Sequence, residues 1–133
     1  MKKKHAAKIP DLILGPLPVE MINRVLGYEL DPGDVILSRG AQIHASRRHP
    51  DEYPVIQPHV SAVVTAPLYV GDDINNHGKI ELVGRIVAAG AIILVAVNIE
   101  PDARGRYHIA SFYRISEQKV QSRREKGHLK RAV

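Results

Sequence analysis

The chain has 133 residues, 44% of them hydrophobic and 25% charged, which fits one globular domain and excludes a disordered chain. It holds no cysteine, so disulfide scaffolds, thiolate zinc sites, iron–sulfur clusters and cysteine nucleophiles are excluded. The net charge is +5 but unevenly spread: residues 1–8 carry four lysines and no acid, residues 119–133 carry six basic residues and one acid, and the body between is mildly acidic.

Such ends read as solvated tails, or as tethers to a polyanion with the chemistry elsewhere. Residues 1–8 are expected as a basic flexible tail, residues 9–127 as a single domain and residues 128–133 as a second basic tail. Lys2, Lys3 and Lys4 look like a charged leader, but Pro10, Pro16 and Pro18 interrupt the apolar run that a signal peptide needs. The uncharged stretch from residue 86 to 97 is too short to span a bilayer, and no membrane partner is expected. Its Ile and Val content, broken by Gly90, suits two buried strands and a turn.

In chain order, residues 18–27 read as a short helix. Proline suits its first turn and glycine its exit, and Met21, Ile22, Val25 and Leu26 share a face. Asp31-Pro32-Gly33-Asp34 is a turn, and residues 35–37 are a short strand. Ser38 can cap a helix that runs to about His49 and ends at Pro50, with Ile43 towards the core. A further helix precedes Pro67, with Ile56, Val60, Val63 and Val64 on one side and Pro58 in its first turn. After a polar turn at residues 75–78 come three strand candidates, residues 80–88, 91–99 and 106–114. Their short links imply an antiparallel meander. Ser116 then caps a polar helix that Gly127 ends, with Ile115 and Val120 as a hydrophobic staple. The expected fold is α+β: N-terminal helices packed on a small antiparallel β-meander sheet, with a C-terminal helix.

The densest polar cluster runs from Ser38 to Pro50. On a helix, His44 shares a face with Arg47 and Arg48. A histidine beside arginines is favoured in its neutral form, which suits a general base near an anion, and arginine grips phosphate with two donors. A solvated helix face with an incidental histidine accounts for the same pattern. His44 and His49 are five residues apart and lack the spacing of a zinc pair; no metal is expected. His49 also complements the negative end of the helix dipole.

On the last strand, alternation puts Tyr107, Ile109, Ser111 and Tyr113 on one face and His108, Ala110, Phe112 and Arg114 on the other. Ser111 is either a small residue making room for a helix or a hydroxyl for a phosphate or base. Ser111 and Arg114 can line one pocket only if the strand is bulged. Glu81 and Arg85 share a strand face, as a cross-strand charge pair or with Arg85 free to grip phosphate. No phosphate loop, dinucleotide fingerprint, nucleophile elbow or two-metal acidic pair is present. No cofactor is expected.

The run Val35-Ile36-Leu37-Ser38-Arg39, then His44, then Arg48-His49-Pro50-Asp51-Glu52, resembles phage-type nuclease-like domains of the barnase–EndoU–colicin–RelE-like (BECR) superfamily. Ala66-Pro67 and Ile109-Ala110-Ser111-Phe112-Tyr113 continue the likeness, which covers roughly residues 18–127 in order. The resemblance implies a metal-independent endoribonuclease, often a toxin, acting on RNA by 2′-hydroxyl attack on the adjacent phosphate. His44 would then be base or acid and Arg48 the phosphate clamp, with His49 and Ser111 in the catalytic set. Arg85, Tyr113 and Arg114 would contact RNA. The implied location is the cytoplasm of the cell itself or of a target cell, and an acidic antitoxin or immunity protein is the implied inhibitor. A non-catalytic nucleic-acid- or protein-binding module on the same scaffold is the alternative.

Overall fold

A computed structural model describes residues 9–133. The tail expected over residues 1–8 lies outside the described residues. The fold is mixed α/β: seven strands form one mostly antiparallel sheet, with helices on both faces.

The elements are β1 (Leu12–Pro16), α1 (Val19–Leu26), β2 (Asp34–Leu37), α2 (Arg39–Arg48), α3 (Tyr53–Ile56), α4 (Val60–Thr65), β3 (Tyr69–Asp72), β4 (Lys79–Ile86), β5 (Ala91–Asn98), β6 (Tyr107–Arg114), α5 (Glu117–Glu125) and β7 (Lys130–Arg131). The sheet order is β1-β2-β6-β5-β4-β3-β7. The expected meander is present as β4-β5-β6, but it forms only the middle of the sheet. β2 joins it by pairing parallel to β6, and all other pairs are antiparallel.

Three expectations need correction. Helices were expected first, but the first element is a strand, β1; the bulge at Leu14 and Pro16 at its end hide the alternation that would mark it in the sequence. The helix before Pro67 is broken into α3, a 3₁₀ turn at Gln57–His59 and α4. Its apolar set is nevertheless right: Ile56, Val60, Val63 and Val64 are all buried. Residues 128–133 are no solvated tail. Leu129 is buried at 3% exposure, β7 pairs with β3, and the Ala132 N–H donates to the Leu68 carbonyl at 2.9 Å. The side chains of Lys130, Arg131 and Val133 stay exposed. Gly71 makes this docking possible, since a Cβ there would meet the His128 carbonyl oxygen at 1.9 Å.

The main core lies between the sheet and α1 to α4. Ile22 of α1, Ala45 of α2, Ile56 of α3 and Val60, Val63 and Val64 of α4 meet Val35, Leu37, Ile93, Val95, Tyr107, Ile109 and Phe112 of the strands. A second core lies under α5, where Val120 and Leu129 pack on Val83, Leu94 and Ile115. The burial of Ile115 and Val120 in one cluster matches the expected staple, and Ser116 caps α5 by accepting from the Lys119 N–H. No buried side-chain polar atom among the described residues lacks a hydrogen-bond partner.

Candidate active site

α2 carries the histidine–arginine cluster, and its position is set at both ends. Ser38 accepts from the Ala41 N–H at 3.1 Å and caps the helix as its sequence predicts. Arg47 and Arg48 in the last turn complement the dipole, and the His49 N–H closes the helix onto the Ala45 carbonyl. The inward residues are Gln42 and Ala45, while Ile43, expected in the core, is half-buried. Gln42 is 5% exposed and donates through Nε2 to the Pro10 carbonyl at 2.8 Å and the Leu37 carbonyl at 3.2 Å. One amide therefore ties the N-terminal segment, the end of β2 and the helix together. The Arg39 N–H donates to Asp11 Oδ1 at 2.8 Å. Neither residue was singled out from sequence, because a glutamine in a polar helix looks like part of a solvated face.

β6 supplies the other wall, and it is bulged. Ala96 pairs with Ser111 and Val97 with Ile109, so Ala110 is the extra residue. The bulge reverses the alternation expected from the sequence. Phe112 joins Tyr107 and Ile109 in the main core, whereas Ser111 and Tyr113 turn to the other face. The Phe112 ring lies 6.0 Å from that of Tyr53, tilted by 42°, and burial pushes the Tyr53 hydroxyl pKa up.

Between α2 and this end of β6 is a cleft of about 230 Å³. His44, Arg48 and His49 line it from the helix, and Ser111 and Tyr113 line it from the strand. His44, Arg48 and Ser111 are exposed. His49 is partly engaged, with its Nδ1 3.7 Å from Glu52. Five residues expected at one site from two segments more than sixty positions apart thus meet in one cavity. No family model, curated protein or solved structure matches the chain. The site is therefore read from its own geometry.

The other two expected residues lie elsewhere. Arg85 and Arg114 line a separate cavity of about 400 Å³ beside the β4–β5 turn. Arg85 is not free: both of its Nη atoms bond to Glu117, which holds the arginine further into its charged range and the carboxyl below its ordinary value. Arg114 bonds the Gly90 carbonyl at 3.3 Å. The bulge precedes Ser111, so it leaves Ser111 and Arg114 on opposite faces and cannot bring both into one pocket. Glu81 and Arg85 share a face as expected but do not pair. Glu81 bonds Arg123 of α5 at 2.6 Å, and burial raises its pKa in spite of that arginine.

A third polar cluster escaped the sequence reading. Asp102 accepts from the Arg106 N–H at 3.0 Å, from His108 Nε2 at 2.8 Å, from the Arg104 N–H at 2.8 Å and from Arg106 Nε at 3.2 Å. These bonds, the Arg106 N–H first, hold its carboxyl far below the usual range. It organises the β5–β6 loop and faces none of the cleft residues. Among the described residues, no group of three or more His, Asp or Glu is placed to hold a metal ion, and no helix is long and apolar enough to cross a membrane.

Proposed function

We propose that the chain is a metal-independent endoribonuclease of the BECR type, toxin-like in character. The observation that carries this reading is the meeting of His44, Arg48, His49 and Ser111 in one open cleft. Two imidazoles, a guanidinium and a hydroxyl can supply the base, the acid and the charge-stabilising donors that transesterification of RNA needs. The order of a histidine-bearing helix, a meander and a closing helix supports the same reading, as does the parallel pair β2–β6 with its carboxyl ends at the cleft.

In the proposed reaction the ribose 2′-oxygen attacks the adjacent phosphorus. The 2′-O–P bond forms and the P–O5′ bond breaks. His44 takes the 2′-hydroxyl proton and His49 gives a proton to the departing 5′-oxygen. Arg48 spans two non-bridging phosphoryl oxygens as their negative charge grows, and the Ser111 hydroxyl donates to the same group. Arg85 is engaged by Glu117 and Arg114 lies outside the cleft, so neither has a role in this step. On this reading the protein acts on RNA in the cytoplasm of its own or a target cell, and an acidic antitoxin or immunity protein is its inhibitor.

An RNA oligonucleotide with one 2′-deoxy substitution tests the chemistry. Cutting is expected to disappear at that nucleotide alone, and products elsewhere are expected to end in 2′,3′-cyclic phosphate. Equal cutting of the deoxy position would contradict 2′-hydroxyl attack. Binding without cleavage, sensitive to salt and unchanged by His44→Ala, would identify a binding module instead.

A further inference from the structure

The cleft has a floor that the acid–base reading does not use. β2 pairs with β6 only at Val35–Tyr107 and Ile36–His108, and then ends where α2 begins. β6 continues to Arg114 with its far edge bonded to β5. The Ile115 N–H donates to the Ile92 carbonyl at 3.0 Å, in register with that ladder. Main-chain groups along an antiparallel strand alternate between facing the partner and facing away. Tyr113 and Ser111 therefore face β5, and Phe112 turns its N–H and C=O the other way, into the gap beyond the end of β2.

Phe112 is only 4% exposed. Among the described residues no loop, helix or side-chain group bonds its main chain from that side. Phe112 lines the cleft, so a main-chain donor and acceptor turned into it without protein partners stay available to the edge of a ligand. Opposite stand Ala41 and Ala45, one helical turn apart on α2, whose small side chains leave the gap open.

We propose that this gap is a nucleobase pocket: the Phe112 N–H and C=O read one acceptor–donor pair on the edge of a single unpaired base. The proposal rests on the ribonuclease reading and adds its substrate class, a single strand from which one base is extruded. A ring carrying a neighbouring hydrogen-bond acceptor and amino donor, such as adenine with N7 and N6, matches the two groups of one residue. The ring slides between the Ala41–Ala45 face and the strand edge, and its phosphate falls to Arg48 and His44 at the mouth. A paired base stays in its stack and cannot enter the gap, so duplex RNA is excluded from the pocket.

The test is an NMR titration of the full chain with nucleoside 3′-monophosphates, and with ribose 5-phosphate as a base-free control. The Phe112 amide resonance is expected to move with the nucleotides and not with the sugar phosphate. The nucleotides are expected to bind tighter by about 5- to 150-fold, the range of one base contact. Ala41→Leu, which fills the gap from a half-buried position, is expected to remove that advantage and leave the sugar phosphate unaffected. Equal affinity for nucleotide and sugar phosphate, alongside cleavage of RNA by the same protein, would overturn the base pocket and leave the ribonuclease reading standing. An unmoved Phe112 resonance in the nucleotide complex would overturn it too. Failure to bind or cut any RNA would remove both.

Discussion

At the scale of single residues, the site divides into groups that face the reacting phosphate and groups that hold them there. His44 and Arg48 belong to the first kind. His44→Ala is expected to lower kcat/KM for RNA by about 10²- to 10⁴-fold, the usual worth of a general acid or base, with the melting temperature unchanged because the side chain is exposed. Arg48→Lys is expected to keep the charge and still lose rate, since an ammonium cannot bridge two phosphoryl oxygens. Gln42 belongs to the second kind. Asp102 has a different task, and its pH dependence reveals it. Its folded pKa is lowered from the ordinary 3.8, so ionised Asp102 favours the folded state. That contribution is complete above the ordinary value and is lost as pH falls through the lowered one. Urea midpoints measured from neutral to acid pH are expected to drop more steeply below 3.8 for the natural chain than for Asp102→Asn. Parallel curves would show that the loop bonds do not couple to folding. His44 and Arg48 were legible as neighbours because residues four apart share a helix face, whereas Arg85 and Arg114, expected with them, line another cavity. Asp102 was not legible, since its four bonds come from loop geometry that no spacing rule describes.

At the scale of elements, the caps and edges carry the account. Ser38 and Ser116 each accept from the backbone N–H three residues on, and both were readable from sequence. Ser116→Ala is expected to cost about 0.5–2 kcal/mol in urea unfolding. Ser38→Ala is expected to cost a similar amount and to slow cleavage as well, because α2 carries His44 and Arg48. β7 was not readable: two exposed basic residues look like a tail, and their pairing with Val70 and Tyr69 depends on the burial of Leu129 and the missing side chain at Gly71. Leu129→Ala is expected to destabilise by about 2–5 kcal/mol, whereas a solvated tail would give no change. The bulge at Ala110 was equally hidden, because strict alternation is the only face rule a strand sequence offers. Its effect is to put Phe112 into the core and to turn Ser111 out to the rim of the cleft.

At the scale of the whole molecule, sheet order converts two distant segments into one site. The parallel contact between β2 and β6 is short, and that shortness opens the cleft: α2 leaves β2 at the point where β6 runs on alone. Length and patterning gave the mixture of helices and strands and the central meander. They did not give the seven-stranded sheet, since β1, β3 and β7 are short and defined by their neighbours, and β1 and β3 also carry glycine. The uneven charge is explained in part by this order, for the body's acids are tied up in pairs such as Glu81–Arg123 and Glu117–Arg85 on the α5 side, away from the cleft. The central claim is catalysis by α2 against β6. Its most direct measurement is incubation of mixed cellular RNA with the purified protein in EDTA, beside the His44→Ala variant at equal concentration and with its fold verified. The natural chain is expected to cleave the RNA and the variant to leave it intact; intact RNA with the natural chain, or equal cleavage by both, would rule out catalysis by α2 against β6.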